Sequence, residues 1–306
     1  MNEVNYRVEQ SLLFKQVKSS RVKLNTFMTV LIYFVLWLLG LFLGSIISNF
    51  IMSSLQAILT LGESIAVGMR RLIVCGTQII LFFLWVGLIE KRPIKTIGFQ
   101  SYKPFRDYTI GFMVGFSAIS MVTIILYFFR MVEFVSYNLN FAPVNIVAIT
   151  IGWIVQSASE EIAIRGWLIP SLGNQRTPTT AIILTAIIFE VLHLFSSGVT
   201  VLSFINLILS GVFFAGYAIY TSNILGVCGL HFAWNFTLGN IYGFPVSGFS
   251  SNGETILTTK QVGSTFFTGG DFGLEGSVIT TIILLVGISI LGLISFKKTV
   301  QNKPGF

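Results

Sequence analysis

The chain has 306 residues, of which 54% are hydrophobic and only 10% are charged, and its mean hydropathy is +0.83. A soluble globular chain carries about 25% charged residues, so this composition excludes that class and indicates a membrane protein. The net charge of +7 is not arranged as a basic, aromatic-interleaved surface, so no nucleic-acid partner is expected. Both cysteines, Cys75 and Cys228, lie in apolar runs, which argues against a disulfide framework.

Eight segments of the sequence are long and apolar enough to cross a bilayer, which takes roughly 20 residues each. These predicted spans are residues 24–48, 70–89, 109–129, 145–169, 179–197, 199–221, 224–242 and 276–296. We therefore predict an all-α, polytopic transmembrane helix bundle of about eight spans. The predicted transmembrane domain is 24–296, with a motif core at 145–242, between an N-terminal segment, 1–23, and a tail, 297–306.

The distribution of basic residues predicts the orientation. With the N-terminus in the cytoplasm, 15 of the 19 lysines and arginines lie on the cytoplasmic side, as the positive-inside rule requires. An even number of spans then returns the C-terminus to the cytoplasm. The pair Arg70-Arg71 is the exception, because this orientation places it at an outer helix end. The pattern fits a multi-pass protein of a bacterial plasma membrane.

The longest polar stretch, residues 243–275, is rich in glycine, serine and threonine. It is predicted to be an external loop. A loop of this length is usually either functional, such as a lid, or a linker, and the sequence leaves both open.

Two adjacent carboxylates and an arginine interrupt the fourth predicted span. Glu161 and Arg165 are spaced i,i+4 with the acid first, which is the favourable order for a helical ion pair. Glu160 lies about 100° further round the helix and has no partner in that pair. Ionised groups in a span are costly unless they are paired or used, so Glu160 is a catalytic candidate. The alternative is that it only joins the Arg165 network.

The chain has two histidines, His193 and His231, and both lie in predicted spans. Glu190 shares a helix face with His193. It could be a second metal ligand, an acceptor that orients the imidazole, or the partner of a distant arginine. His231 and Asn235 are spaced i,i+4, so they could donate two hydrogen bonds to a developing oxyanion, or only bond between helices. Cys228 is a soft metal ligand or a packing residue.

Three motifs follow one another on separate spans. They are Glu-Glu-x-x-x-Arg from Glu160 to Arg165, Phe-x-x-x-His from Phe189 to His193, and His-x-x-x-Asn from His231 to Asn235. In this order they resemble the CAAX protease and bacteriocin-processing family (CPBP or Abi) of intramembrane proteases, which includes the type II CAAX prenyl endopeptidases. The motifs cover residues 160–235, about a quarter of the chain.

The resemblance implies an intramembrane endopeptidase that hydrolyses a peptide bond of a membrane-associated peptide or protein. By this resemblance, Glu160 is the general base that activates water or a metal-associated carboxylate, and His193 holds the water or the metal. His231 and Asn235 stabilise the oxyanion. Glu161 with Arg165, together with Phe189 and Glu190, supports the site. The residues themselves agree with this role for Glu160, because burial raises the pKa of a carboxyl group and can make it a base near neutral pH.

The resemblance does not decide whether the site needs a metal. Glu160, His193 and His231 could supply three ligands to Zn²⁺ or another divalent metal and leave one position free. There is no HExxH helix, so such ligands would come from several helices, and a metal-free mechanism uses the same residues. The expected partners are the lipid bilayer, a peptide or membrane-protein substrate and a regulatory membrane protein.

Two other functions stay open. One is a non-catalytic membrane adaptor or bacteriocin-immunity protein of the same fold. The other is a transporter that uses Glu160 and the histidines as a proton relay, although no internal repeat is visible. The side to which the site opens is also unsettled, and the resemblance favours the cytoplasm. Along the predicted spans Glu160 and His193 differ in depth by roughly 13 Å in a bilayer core of about 30 Å.

Overall fold

A computed structural model describes residues 11–140, 142–250 and 254–301. Of the two predicted cytoplasmic segments, residues 1–10 and 302–306 therefore lie outside the described residues. The α-helices in this part of the chain are α1 Leu12–Val17, α2 Thr26–Gln56, α3 Glu63–Leu84, α4 Pro104–Phe128, α5 Pro143–Glu161, α6 Ile169–Gly173, α7 Pro178–Val191, α8 Val201–Thr221, α9 Leu225–Phe236, α10 Thr265–Thr268 and α11 Val278–Gln301.

Other helical and strand segments join these helices. The π-helical segments are Trp85–Ile89 after α3, Ile162–Leu168 between α5 and α6, and Thr237–Ile241 after α9. Short 3-10 helices are Ile94–Ile97, Leu192–Phe195, Gly270–Phe272 and Leu274–Gly276. Two strands, β1 Val132–Tyr137 and β2 Leu257–Gln261, pair antiparallel, with Val132 opposite Gln261 and Tyr137 opposite Leu257.

The predicted all-α polytopic bundle is confirmed. Among the described residues, seven helical segments are long and apolar enough to cross a membrane. They are Thr26–Gln56, Glu63–Ile89, Pro104–Phe128, Pro143–Gly173, Pro178–Phe195, Val201–Thr221 and Val278–Ser295. The predicted span 224–242 is present as α9 and its π-helical extension, which is shorter than these seven.

Local sequence signals explain where the helices begin. Pro104, Pro143 and Pro178 each occupy the first turn of a helix, where proline costs no hydrogen bond. The Asn25 side chain caps α2 by accepting a bond of 2.9 Å from the Met28 N–H. These signals stand at the ends of apolar runs, and most predicted spans agree with the observed helices to within about five residues. Two boundaries are wrong, because α2 continues to Gln56 and α3 already begins at Glu63, so Arg70 and Arg71 do not stand at a helix end.

Glycines let the helices that carry the site approach closely. At Gly152 on α5, an added Cβ would lie 3.0 Å from the Cα of Gly68 on α3, so the two backbones touch. Helix α9 is packed against α4 in the same way, at Gly111 and Gly226. Small residues at crossings are the usual means of packing helices in membranes. The two crossings fix α5 and α9, which carry the first and third motifs.

The bundle has two distinct ends. At one end, α1 packs against α6, where Phe14 covers Gly173. At the other end lie the β1–β2 pair and the polar segment 243–275, which reaches the start of α3 through a bond of 3.0 Å from the Glu254 N–H to the Ser64 hydroxyl. The predicted loop thus contains a strand and short helices.

Candidate active site

A cavity of about 430 Å³ lies between the helices, towards the end of the bundle that carries segment 243–275. Seven of the eight predicted site residues line it, namely Glu160, Arg165, Phe189, Glu190, His193, His231 and Asn235. The eighth, Glu161, lies directly behind His231 and hydrogen-bonds to it. The fold therefore gathers the three motifs, which are far apart in sequence, around one cavity.

Glu161 joins the first motif to the third. Its Oε1 accepts a bond of 3.0 Å from Arg165 Nη1, which is the ion pair that the i,i+4 spacing predicts. The same oxygen lies 2.8 Å from Nδ1 of His231, a contact that the spacing does not predict. Arg165 also donates to the Gly211 carbonyl oxygen at 3.3 Å. Glu161 thus positions both a cation and an imidazole.

The Arg165 side chain belongs to the core of the bundle. The charge count places it on the cytoplasmic side, but the residue is only 3% exposed and its guanidinium lies over the Phe214 ring. It sits in the π-helical segment Ile162–Leu168, which begins directly after Glu161. Such segments are rare and occur frequently at functional sites. Arg165 therefore does not count as a cytoplasmic charge, and the predicted orientation depends on the other basic residues.

Glu160 makes no ion pair with Arg165 and faces the cavity. Its Oε1 accepts a hydrogen bond from the Gln156 side chain, one turn earlier on α5. The oxygen of the same Gln156 amide accepts a bond of 3.1 Å from Asn235 Nδ2. Gln156 therefore couples the free carboxylate to the amide of the third motif and holds both in place.

The second oxygen of Glu160 lies 3.7 Å from Nε2 of His231. This distance is too long for a direct hydrogen bond. A carboxylate can only accept, so His231 donates its Nδ1–H to Glu161. In the neutral imidazole the Nε2 lone pair then faces Glu160, and in the protonated form Nε2 becomes a donor. A small polar group in the cavity, beside these two atoms, can therefore contact both Glu160 Oε2 and His231 Nε2.

His193 approaches the cavity from α7. Its Nδ1 lies 3.4 Å from the backbone oxygen of Phe189 and at the same distance from Glu190 Oε2. The contact with Glu190 is an ion-pair distance and not a hydrogen bond, because this carboxylate oxygen has no hydrogen-bond partner among the described residues. The imidazole also packs edge-on against the Phe189 ring, with 4.9 Å between centroids. These contacts leave Nε2 of His193 for the cavity.

The hydrogen-bond partners of the two histidines suit a metal site, but the arrangement of the side chains does not. Both histidines direct Nδ1 towards an oxygen acceptor, as metal-binding histidines usually do. Within the described ranges, however, no three histidine, cysteine, aspartate or glutamate side chains are grouped so that they could hold a metal ion. Glu160 and His231 are neighbours, but His193 does not complete a ligand set with them. The proposed mechanism therefore contains no step through a metal.

Segment 243–275 takes part in the site. Val246, Ser247 and Phe249 line the cavity beside the motif residues. The Glu275 carboxylate holds this part of the segment, because it accepts bonds from the Ser247 N–H, from the Ser247 hydroxyl at 3.1 Å and from Trp234 Nε1 at 3.0 Å. Burial raises the pKa of the Glu275 carboxyl, while these hydrogen bonds lower it less. These contacts make residues 246–249 part of the cavity wall, and the lid stays a prediction.

The depth conflict between Glu160 and His193 comes from the helix boundaries. The continuous helical segment Pro143–Gly173 has 31 residues and is therefore about 46 Å long, well above a bilayer core of about 30 Å. Its first residue does not mark the membrane surface. Because Glu160 lies in the middle of this segment and His193 near the end of the next, both reach the same cavity.

Gln156, Glu275 and Arg71 are among the residues of the site that were not predicted from the sequence. Gln156 has a detectable signal, since it is a polar residue in an apolar span one turn before Glu160. Glu275 has none, because it stands at the end of a polar loop. Arg71 lines the cavity on α3, although the charge pattern places it at an outer helix end.

Comparison with known protein families supports the motif assignment. Residues 142–237 match the family model described as type II CAAX prenyl endopeptidase Rce1-like, which is a protease family. The match is shorter than half of the chain but contains all three motifs, so the resemblance is confirmed over this stretch. Neither the search of curated proteins nor that of solved structures found a match. The matched family and the apolar helices together support a multi-pass membrane protein with protease activity of the CAAX type.

Proposed function

We propose that the protein is an intramembrane endopeptidase that hydrolyses a peptide bond of a membrane-associated peptide or protein. The observation that carries this proposal is the position of Glu160, whose Oε2 lies 3.7 Å from His231 Nε2 in a cavity between helices. A carboxylate and an imidazole at this separation can both hydrogen-bond to one water that lies beside them in the cavity. Neither the Glu160 carboxylate nor the His231 imidazole is paired with Arg165.

In the first step the water donates one hydrogen bond to Glu160 and one to the Nε2 lone pair of His231. Glu160 takes a proton from the water, and the water oxygen attacks the carbonyl carbon of the substrate. Neutral His231 acts here as an acceptor. It becomes an oxyanion donor, the role implied by the resemblance, only in its protonated form.

The attack converts the carbonyl oxygen into an oxyanion. Asn235 uses one N–H to bond Gln156 and has a second for the oxyanion. His193 faces the cavity from the opposite helix and contacts the substrate or the water. Preorganised donors of this kind commonly contribute a large part of catalysis.

The last step breaks the C–N bond. Glu160 passes its proton to the departing nitrogen, so the products are a carboxylic acid and an amine, and Glu160 returns to its ionised form. Glu161 and Arg165 do not react but keep the imidazole oriented. One carboxylate and its supporting amide thus serve both as base and as acid.

We also propose the cellular setting. The charge pattern supports a bacterial plasma membrane, with residues 1–23 and 297–306 in the cytoplasm. The substrate is a peptide or a membrane protein, and a regulatory membrane protein is an additional partner.

Comparative peptidomics tests the proposal. Cells express either the wild type or Glu160→Gln at matched levels in the membrane, and peptides are identified in the medium and in the membrane fraction. We expect a peptide or a truncated membrane protein that is present only with the wild type. Identical peptide profiles, with any cellular phenotype intact in the variant, would contradict the proposal and favour the non-catalytic adaptor.

A further inference from the structure

Arg71 lies in the wall of the cavity without a polar partner. Its Nη1 is buried and has no hydrogen-bond partner, and no carboxylate in the described part of the chain is within ion-pair distance of it. Arg71 as a whole is half-buried, and the fully buried arginines differ from it, because Arg92 is bound by Glu90 and Arg165 by Glu161. A cation in a membrane-spanning helix is costly unless it is paired or used, so an unpaired guanidinium indicates a missing anion.

The position of the guanidinium is fixed by its surroundings. Its Cζ lies 3.6 Å from the centroid of the Trp153 ring, which is close cation–π stacking. Trp153 is itself held, because its Nε1 donates a bond of 2.6 Å to Asn240 Oδ1. The close approach of α3 and α5 at Gly152 brings the two helices into contact at this level, and an added Cβ there would be 3.3 Å from Arg71 Cβ.

Stacking leaves the hydrogen-bond donors of the guanidinium available. The N–H groups of arginine lie in the plane of the group, so a ring against its face does not use them. Such a planar fork matches the two oxygens of a carboxylate. The neighbouring Arg70 also lines the cavity, but its Nη1 already donates to Asn49 Oδ1 at 3.1 Å.

The guanidinium lies a short peptide length from the catalytic carboxylate. Trp153 and Glu160 are seven residues apart on α5, which is two turns, so they share a face of the helix about 10 Å apart. An extended peptide spans this distance with about three residues. The cavity is also lined by Arg165, but its guanidinium is held by Glu161, so Arg71 is the guanidinium left for an anion.

We propose that Arg71, stacked on Trp153, is a binding subsite for a carboxylate of the peptide substrate. The carboxylate lies about three residues from the bond that Glu160 attacks. It belongs either to an aspartate or glutamate side chain or to the C-terminus of the peptide. This subsite rests on the proposed peptidase function, since it gives the cavity a preference for anionic peptides.

The test measures binding, so that it does not depend on catalysis. All proteins carry Glu160→Gln, are purified in nanodiscs and are titrated with fluorescent peptides of equal length. The first peptide has a free C-terminal carboxylate and no acidic side chain. The second has an amidated C-terminus and one glutamate, at successive positions in a series. The third is amidated and contains glutamine instead. Comparison of the first two peptides identifies the source of the carboxylate.

We expect at least one carboxylate peptide to bind about tenfold or more tightly than the neutral peptide. Adding Arg71→Gln should remove that preference without weakening the neutral peptide, and Arg71→Lys should restore part of it because the charge is kept. Arg130→Gln is the matched control, since Arg130 is exposed at the same end of the bundle and lies outside the cavity. It should keep the preference.

Two results would overturn the subsite. One is equal binding of anionic and neutral peptides before Arg71 is changed. The other is that Arg71→Gln weakens the binding of both peptides equally, which would show that Arg71 has a structural role. The proposed function fails by a different observation, namely cleavage that does not depend on Glu160 or no cleavage at all. A carboxylate preference that depends on Arg71 would then still stand, as the binding site of an adaptor.

Discussion

Nδ1 of His231 lies 2.8 Å from Oε1 of Glu161, the same oxygen that accepts the Arg165 hydrogen bond. The second acid of the motif therefore sets the direction in which the imidazole presents its other nitrogen. That nitrogen faces the first acid, Glu160, at 3.7 Å. The two adjacent glutamates thus have separate tasks, one to orient and one to react.

Glu161→Gln should lower the activity of the folded protein. The amide oxygen can still accept from Arg165 and His231, but the negative charge that makes Nε2 of His231 a stronger acceptor for the water is lost. We expect kcat/KM to fall by roughly tenfold or more. The measurement is cleavage of the peptide found by peptidomics, with membrane levels matched by immunoblot. Full activity would mean that the contact with His231 only serves packing.

Arg165→Ala should reduce the amount of protein in the membrane. Both partners of the ion pair are buried, with side-chain exposures of 4% and 0%, so the substitution leaves the Glu161 carboxylate without its cation. Breaking a buried pair from one side costs roughly 3–5 kcal/mol. Quantitative immunoblotting of membranes checks this, with Arg176→Ala as a control at a more exposed arginine. Normal abundance together with normal activity would contradict the pairing.

Glu275→Gln should change how stability depends on pH. Because burial raises the pKa of Glu275, the folded protein binds this proton more tightly than the unfolded chain. Its contribution is fully present below the ordinary pKa of about 4.3 and is lost as pH rises through the raised value. The thermal stability of the wild type should therefore fall relative to Glu275→Gln, by a few degrees, as pH rises from about 4. Parallel unfolding temperatures of the two proteins across this range would exclude the effect.

His193→Ala should lower activity without changing the metal content of the purified protein. The expectation follows from the arrangement of the side chains, since Glu160, His193 and His231 are not grouped as a ligand set among the described residues. Elemental analysis before and after the substitution, at matched protein concentration, gives the answer. One metal ion per chain that is lost with His193→Ala would instead assign the three residues as ligands.

The orientation of the chain in the membrane can be tested by finding the side to which the cavity opens. The charge pattern predicts that the end with segment 243–275 faces outwards, whereas the resemblance favours a site open to the cytoplasm. The structure makes these two expectations incompatible, because the cavity and α1 lie at opposite ends. We expect the charge pattern to prevail, as it depends on many residues.

Thiol labelling in intact cells separates the two orientations. Cys75 and Cys228 are first replaced by alanine, and single cysteines are then placed at Ser250, beside the cavity, and at Tyr102, an exposed residue before α4. A reagent that does not cross membranes should label Ser250→Cys from outside and Tyr102→Cys only after permeabilisation. The reverse result would place the cavity on the cytoplasmic side.

The helices could be predicted from the sequence because a span is a local property. Length and apolarity define it, and capping residues such as Asn25 and Thr177 mark its start. The Glu161–Arg165 pair is also local, since both side chains stand on one helix. Resemblance supplied the grouping of the motifs, and the structure places them around a single cavity.

Contacts between helices could not be predicted in the same way. The bond between Glu161 and His231 joins residues 70 positions apart and depends on how α5 and α9 rotate against each other. Arg71 shows the same limit. The sequence presents it as a charge at a helix end, and only the crossing at Gly152 places it on Trp153 inside the cavity.

The most direct test of the central claim is cleavage by purified protein in liposomes. The wild type and Glu160→Gln are reconstituted at equal density and incubated with a peptide identified in cells, and the products are measured by mass spectrometry. Water activation by Glu160 predicts a single cut by the wild type and a loss of rate of at least roughly a hundredfold in the variant. Equal cleavage by both proteins, or none by either, would contradict it.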